Sequence, residues 1–450
     1  MRFLPEHRSP RVAVVGFGYV GCCLGVALAE NGITVVGIEN DPALVARLRA
    51  GQCPVPEPGV TEALARLAGS PDLSFTTDYD GLLDADVVVI TVGTPVDEHG
   101  SLMTEQLERV CEQVAPRLRP GRLVIVKSTV VPGTTRTLVA PLLEHGGLTQ
   151  ERDFGLVCCP ERLAEGEALA QIGELPVVVG GSGPEGVAAA ARFWERVLSV
   201  PTRVLPSSDA AETVKLATNW WIDANVAMAN ELAQFCAAFD IDVTDVIGAS
   251  NSLPKGAGNV NILQPGIGVG GACLTKDPWM AWRAAMDRGV RLRTIDTARR
   301  VNDGMPAYTA EMILEELVKL GRDPAAAEIA VLGVAFKGGT GDLRNTPVKE
   351  VVGHLRGAGA RVRMYDPLVD PDRMRAEMGA TVADSLDDAV RGTDAVALLA
   401  GHPQFRDVPP ERLRDLVPAP ALVFDGRSYF TAEEIARLRE LGFHYRGVGR

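Results

Sequence analysis

Residues Arg11–Glu39 constrain this chain more than any other stretch. Arg11–Val15 is a β-branched apolar run, Gly16-Phe17-Gly18-Tyr19-Val20-Gly21 follows at once, Cys22–Asn31 reads as helix, and Ile33–Ile38 is a second apolar run ending in Glu39. Strand, glycine turn, helix and strand in that order open a parallel sheet. The glycines permit a tight turn, close approach of backbone to a pyrophosphate, and packing of helix on strand. An acid closing the second strand accepts from ribose hydroxyls. A bare GxGxxG also occurs in purely structural turns, but here the strand–helix–acid context is complete. Gly16, Gly18, Tyr19, Val20, Gly21 and Glu39 are therefore candidate dinucleotide contacts. Glu39 has no adjacent arginine and would repel a 2′-phosphate, so the cofactor expected is NAD rather than NADP.

Further strands are predicted at Val87–Val92, Leu123–Lys127 and Gly155–Cys159. The polar loops that follow are Gly93-Thr94-Pro95, the stretch from Ser128 to Thr135 that contains Thr129, and Pro160-Glu161-Arg162. In an open parallel sheet, loops beyond the carboxyl ends of the strands wall the ligand crevice. Taken singly, each loop also fits ordinary Gly, Pro and Thr turn chemistry. Pro176–Gly181 and Val204–Ser208 complete this first unit.

The segment from Ala210 to Phe239 has no Pro or Gly and carries apolar residues at helical spacing, predicting one helix of about 30 residues. Such a helix serves as a spine between domains and often as a dimer surface. Lys215 and Asn219 share one of its faces at i,i+4, and Glu212 and Lys215 share one at i,i+3. Glu212 fits a solvated ion-pair face better than Asn219 does. The α/β pattern restarts at Ile329–Val334, followed by the loop Phe336–Arg344 and a helix at Val348–Gly357. Strands at Arg361–Tyr365, Ala395–Ala400 and Ala421–Phe424 follow. The fold class is α/β, with two Rossmann-like doubly wound domains joined by a central long-helix region. The expected division is 1–208, 209–305 and 306–450, in line with about three domains for 450 residues.

Composition narrows the function classes. A net charge of −13 disfavours a nucleic-acid backbone as partner. No apolar run approaches the roughly 20 residues of a membrane helix, and Met1–Pro10 lacks the apolar core of an export signal. The eight cysteines include the pairs Cys22-Cys23 and Cys158-Cys159, sit mostly in apolar runs and show no CxxC spacing. They predict reduced core thiols, no metal site and a cytoplasmic protein.

One thiol has a different setting. In Pro265–Asp277, four glycines lead to Cys273, followed by Leu274, Thr275, Lys276 and Asp277. Glycines at this density let backbone close on a ligand, and a cysteine near a helix start and a cation tends toward thiolate. Asp277-Pro278 predicts that helix start, with Asp277 as N-cap. The competing reading is a tight turn holding a buried cysteine. Beside a dinucleotide fingerprint, Cys273 reads as a partner to hydride transfer.

With these residues together, the chain resembles the UDP-glucose/GDP-mannose dehydrogenase family of nucleotide-sugar 6-dehydrogenases. The resemblance runs from about Arg11 to Arg427. It is carried by Gly16–Gly21, Gly93-Thr94-Pro95, Ser128-Thr129-Val130, Pro160-Glu161, Lys215 with Asn219, Asn230-Glu231, the Cys273 loop, and Phe336-Lys337 with Asp342 and Arg344. The resemblance implies an NAD domain, a central dimerisation helix giving a homodimer, and a C-terminal domain for the nucleotide of the sugar. It implies oxidation of a hexose primary alcohol to the carboxylate with two NAD and one water. Cys273 would capture the aldehyde as a thiohemiacetal and then carry a thioester, with Lys215 and Asn219 stabilising oxyanions. Glu161 would activate the hydrolytic water, Thr129 position it, and Asp277 assist proton removal. By the same resemblance Gly93, Thr94, Pro95, Thr129, Lys276 and Arg344 join the cofactor contacts. Glu161, Arg162, Leu163, Lys215, Asn219, Lys255, Asn259, Gly270, Phe336 and Lys337 contact the nucleotide-diphosphate sugar, and Arg344 is a further anchor for it. None of the six histidines lies in a motif.

The sugar is expected to be of the UDP-glucose type, as Leu274-Thr275-Lys276 suggests. Pro160-Glu161-Arg162 and Asp277-Pro278-Trp279 instead resemble the N-acetylhexosamine branch, and dTDP-glucose is a further alternative. Rivals outside this reading are a β-hydroxyacid dehydrogenase, which would need neither Cys273 nor the second α/β unit, and a non-catalytic nucleotide-binding module.

Overall fold

A computed structural model describes residues 2–53 and 57–450. The chain forms two compact units, Met1–Thr218 with Lys276–Arg291, and Asn219–Thr275 with Leu292–Arg450.

The first unit is built on an eight-stranded sheet. Its strands are β1 (Val12–Val15), β2 (Val35–Ile38), β3 (Leu73–Thr76), β4 (Val87–Ile90), β5 (Arg122–Val126), β6 (Phe154–Cys158), β7 (Val177–Gly181) and β8 (Thr202–Leu205), in spatial order β3-β2-β1-β4-β5-β6-β7-β8. Along β1, Val12 and Val14 pack with Leu24 and Leu28 of the following helix (Tyr19–Glu30), while Ala13 and Val15 join Val88, Ile90 and Val110 on the other face. Both faces are covered at the centre of the sheet, so central strands such as β1 and β4 are apolar at every position, which is why the sequence shows runs there rather than alternation. Strands β1–β6 are mutually parallel. Strand β7 pairs antiparallel with β6, and β8 runs with β7, so the parallel sheet read from the sequence holds for six strands. Strand β3 escaped that reading because it is an edge strand with alternating burial.

The second unit holds a two-stranded hairpin, β9 (Pro254–Lys255) and β10 (Gly258–Asn259), and a six-stranded parallel sheet. The sheet comprises β11 (Glu328–Leu332), β12 (Arg361–Tyr365), β13 (Thr381–Val382), β14 (Ala395–Leu398), β15 (Leu422–Asp425) and β16 (His444–Gly447), in order β13-β12-β11-β14-β15-β16. The period-two logic recurs: Ile329 and Val331 face one core cluster, Ala330 and Leu332 the other. In each sheet the order reverses beside its first strand, at β1/β4 and β11/β14, the switch points where open α/β sheets bind ligands.

The long helix spans Ser208–Ala237, 30 residues as expected and two positions earlier than its apolar spacing suggested. A second long helix, Arg293–Lys319, carries Pro306 inside it. Among the described residues, no helix is long and apolar enough to cross a membrane.

Candidate active site

The glycine fingerprint forms the first switch point. Gly16 has φ +86°, and a Cβ there would stand 2.8 Å from the Val92 side chain. A Cβ on Gly21 would meet the Gly16 carbonyl oxygen at 2.2 Å, so helix and turn touch through bare backbone. Gly18 differs: nothing lies within 4 Å of a Cβ built on it. It caps the Tyr19–Glu30 helix without a side-chain hydrogen bond, leaving the space and the uncapped helix start that a pyrophosphate uses. Glu39 sits at the carboxyl end of β2, where its carboxylate accepts from the Phe17 amide at 2.8 Å and the Asn40 amide at 2.8 Å. The acid is thereby fixed beside the turn. These residues fit a dinucleotide. Val20 lies in the first turn of the same helix.

Tyr19 makes a contact the sequence did not reveal. Its hydroxyl donates to buried Glu57 at 2.9 Å, and Glu57 also accepts from the amides of Gly166 and Ala168, each at 2.8 Å. Burial, then the charges of Cys23 and Glu57, push the phenol well above its usual range.

Beyond β4 and β5, the Thr94 hydroxyl donates to the Thr129 carbonyl at 2.6 Å, and the Ser128 hydroxyl to the Val92 carbonyl at 2.7 Å. The two loops are thus tied together, with Gly93 and Pro95 exposed at their rim. Glu161, beyond β6, is buried and pairs with buried Lys127 at 2.8 Å. Its other oxygen accepts from the amides of Arg162 at 2.6 Å and Leu163 at 2.9 Å. Burial alone would raise this carboxyl; the charge and hydrogen bond of Lys127 and the charge of Lys215 bring it below the ordinary range. The structure therefore gathers Glu161 and Lys215, both called from sequence, around a lysine that was not. The Arg162 guanidinium donates to the Pro176 carbonyl.

Two expectations are corrected. Glu212 does not lie on a solvated ion-pair face: it is 1% exposed and accepts from the amides of Gly133 at 2.6 Å and Thr135 at 2.7 Å. It thereby holds the start of the π-helical turn Thr135–Val139, and burial raises its carboxyl. Nor is Asp277 an N-cap. The helix is Asp277–Met286 with Lys276 at the cap position, and the buried Asp277 carboxylate accepts from Lys276 Nζ at 2.6 Å.

In the second unit the Cys273 loop is fixed from several sides. Asn230, on the long helix, accepts from the Gly266 amide at 2.9 Å and donates to Asn302 at 2.9 Å. Asn302 donates to Asp223, which is ion-paired with buried Arg299 at 2.7 Å. Gly268, with φ +118°, would place a Cβ 2.9 Å from the Asn302 carbonyl, and Gly270 would place one 2.7 Å from Phe336 Cβ. The Gly271 amide donates to the Arg344 carbonyl at 3.0 Å, and Asn345 donates to the Thr275 hydroxyl at 2.9 Å. At the end of this braced backbone Cys273 is exposed, whereas Cys22, Cys23, Cys111, Cys158, Cys159 and Cys236 are buried and Cys53 is half-buried. The buried-turn alternative for Cys273 therefore fails.

Around the second switch point, Lys337, Arg406, Arg427 and Tyr429 line one pocket. The Arg427 guanidinium donates to the Leu399 and Phe336 carbonyls, each at 3.0 Å, and burial lowers it to about 10, so it stays cationic at neutral pH. Arg406 stacks 3.7 Å from the centre of the Tyr429 ring. Arg344 is paired with buried Asp342, its Nε donating at 2.8 Å. Asn219 is buried. Lys255 and Asn259 lie exposed on the β9–β10 hairpin.

Sequence reasoning missed Glu57, Lys127 and Arg427 as site residues. Lys127 and Arg427 each follow an apolar strand run, and Glu57 stands in Pro56-Glu57-Pro58-Gly59. A charge ending a buried strand was the available signal for the first two.

Residues 10–198, 209–304 and 330–432 match, in turn, the NAD binding, central and UDP binding domains of the UDP-glucose/GDP-mannose dehydrogenase family. The chain is 33% identical over 442 residues to a UDP-N-acetyl-D-mannosamine dehydrogenase of Pyrococcus horikoshii, covering 98% of this chain and 99% of the relative. It is 34% identical over 460 residues to a UDP-glucose 6-dehydrogenase of Pseudomonas aeruginosa, covering 98% and 97%. Among solved structures, a UDP-D-ManNAc dehydrogenase from P. horikoshii superposes with a TM-score of 0.85 at 32% identity, over 98% of this chain and 99% of that one.

Proposed function

Since this chain belongs to the UDP-glucose/GDP-mannose dehydrogenase family and is a nucleotide-sugar 6-dehydrogenase with an NAD-binding domain, we propose that it oxidises the 6-hydroxymethyl group of a UDP-N-acetylhexosamine to the carboxylate. The observation that carries the reaction is Cys273, an exposed thiol on a loop braced by Asn230, Asn302 and Phe336. The choice of sugar rests on relatives named as N-acetylhexosamine enzymes and on Pro160-Glu161-Arg162 and Asp277-Pro278-Trp279. UDP-glucose is the second reading, favoured by Leu274-Thr275-Lys276 and by the P. aeruginosa relative.

NAD, when bound, supplies the hydride acceptor for both oxidations. Gly16, Gly18 and Gly21 give it backbone access, Glu39 accepts from its ribose, and the linked Gly93–Pro95 and Thr129 loops wall its site. Asp277 assists removal of the alcohol proton. Cys273 sulfur adds to the aldehyde carbon, and Lys215 and Asn219 donate to the oxygen that becomes negative. After the second oxidation the sugar is a thioester on Cys273. Water then adds to that carbon, Glu161 takes the water's proton, and the carbon–sulfur bond breaks with its electrons returning to Cys273. Lys337 and Arg427 face the nucleotide diphosphate; with Arg406 they are three cations lining one pocket, which supply the counter-charge on a chain of net charge −13.

A homodimer through the long helix completes this reading. Trp221, Met228 and Phe235 recur at seven-residue spacing and are 49%, 48% and 61% exposed, an apolar stripe suited to a second copy.

Incubating the enzyme with NAD and, separately, UDP-N-acetylmannosamine, UDP-N-acetylglucosamine, UDP-glucose and GDP-mannose tests the proposal. Two NADH per N-acetylhexosamine nucleotide are expected. One NADH per substrate, or turnover confined to UDP-glucose, overturns the reaction or the sugar respectively.

A further inference from the structure

Lys127 has no place in the chemistry described so far, yet its surroundings are unusual. Its side chain is 7% exposed, its ammonium lies 2.8 Å from Glu161 Oε2, and the face of Trp194 stands 5.3 Å away. A buried ammonium is unfavourable unless paired and hydrogen-bonded, so Lys127 and Glu161 are placed for each other. With Oε1 of Glu161 occupied by the Arg162 and Leu163 amides, and one lone pair of Oε2 facing Lys127, a single Oε2 lone pair is left, among the described residues, for a further proton. The charged or titratable groups acting on Glu161 are Lys127 from the end of β5, Lys215 from the long helix and Cys23 from the fingerprint helix. Of the two lysines, only Lys127 makes a hydrogen bond to it. Lys215 acts on it through charge.

We propose that Lys127 is a positioning residue for the hydrolytic half of the reaction: its ammonium orients the Glu161 carboxylate and keeps it anionic, so that the remaining Oε2 lone pair is reserved for the attacking water. This rests on the reading of Glu161 as the group that takes the water's proton. The step it serves balances as thioester plus water giving carboxylic acid plus the Cys273 thiol, with no change of oxidation state. Lys127 itself exchanges no proton; it acts through Glu161. Loss of its charge therefore slows thioester breakdown and leaves capture of the aldehyde untouched.

The test isolates that step in the full-length enzyme. Enzyme, NAD and UDP-N-acetylmannosamine, or UDP-glucose if that is the substrate turned over, are mixed and quenched in acid at successive times. Intact-mass spectrometry then follows the sugar adduct on Cys273 between pH 5 and pH 9. Wild type, Lys127→Met, Lys127→Gln, Lys127→Arg and Glu161→Gln are compared. The expected result is adduct accumulation in K127M and K127Q, with breakdown slowed roughly 10²-fold and its acidic limb moved up by about one pH unit. Formation of the adduct should keep its wild-type rate, and K127R, which keeps the charge, should keep the wild-type limb. Should K127M fail to fold, as judged by circular dichroism, K127Q carries the same comparison.

The outcomes separate the two ideas. If E161Q breaks the adduct down at the wild-type rate, the role of Glu161 falls and Lys127 loses its target. If E161Q accumulates adduct while K127M or K127Q shows an unmoved acidic limb, the role of Glu161 stands and the role given to Lys127 is overturned. Equal slowing of adduct formation and breakdown in the Lys127 variants also overturns it, because that pattern belongs to a general packing defect.

Discussion

Tyr19 donates its hydroxyl to Glu57 at 2.9 Å across 38 residues of chain, joining the first residue of the dinucleotide fingerprint helix to a buried carboxylate. The same carboxylate accepts the amides of Gly166 and Ala168, so one acid ties the cofactor turn to the segment that follows Glu161. Replacing Glu57 by Gln sets an amide NH2 against these donors, which costs about 1–3 kcal/mol. Tyr19→Phe leaves the two amide bonds intact and costs about 1 kcal/mol. Denaturant midpoints should fall further for E57Q than for Y19F, while both raise the KM for NAD. Equal midpoints for E57Q and wild type would falsify the role given to this carboxylate.

The second and third glycines of the fingerprint have opposite sensitivities. Gly21→Ala puts a methyl 2.2 Å from the Gly16 carbonyl and must displace helix or turn, destabilising the protein by roughly 1–3 kcal/mol. Gly18→Ala meets nothing within 4 Å in the protein itself, so its melting temperature should stay at the wild-type value. Its methyl instead occupies the space assigned to the pyrophosphate, and NAD affinity should fall. Thermal melts and NAD titrations on the two variants check this, and a G18A protein that binds NAD normally rules out the assigned position.

Cys273→Ser removes the thiol that carries the thioester. The variant is expected to yield at most one NADH per sugar nucleotide and no uronic acid, because a neutral serine hydroxyl is a far weaker nucleophile than the thiolate and does not capture the aldehyde for the second oxidation. Product analysis by mass spectrometry decides the matter; acid formed at the wild-type yield excludes the covalent route.

Glu212 offers a pH test. Burial raises its carboxyl in the folded state, so folding favours the protonated form. That contribution is fully present below the unfolded value of about 4.3 and is lost as pH rises through the folded value. Glu212→Gln does not titrate. The stability of wild type minus that of E212Q should therefore be more positive at pH 4 than at pH 7, measured by urea unfolding, and a value that rises toward neutral pH contradicts the assignment.

The stripe of Trp221, Met228 and Phe235 on the long helix predicts an assembly state. Phe235→Glu places a charge where a second copy is expected, and a buried unpaired charge is costly. Light scattering should give twice 47.8 kDa for wild type and a shift toward the monomer for F235E. A wild-type mass of one chain removes the dimer.

What was legible in the sequence is what depends on neighbours along the chain. The Gly16–Gly21 turn with Glu39, the length of the Ser208–Ala237 helix and the glycine approach to Cys273 all follow from local rules of strand period, helix spacing and glycine freedom. The sheets were readable in their centres, where both faces are buried, and unreadable at edges such as β3, β13 and β16, where short half-exposed strands lose the apolar signal.

Tertiary structure alone decided which charges are buried, and against what. The partners of Lys127, Glu57, Glu212 and the Asp223–Arg299–Asn302–Asn230 chain lie tens of residues away. A charged side chain in sequence carries no mark of whether it will be solvated or enclosed. Enclosure removes the water that would otherwise satisfy it, so position and ionisation come to depend on one or two distant groups. Folding set the environment in which Glu161 and Glu212, both carboxylates, are pushed in opposite directions.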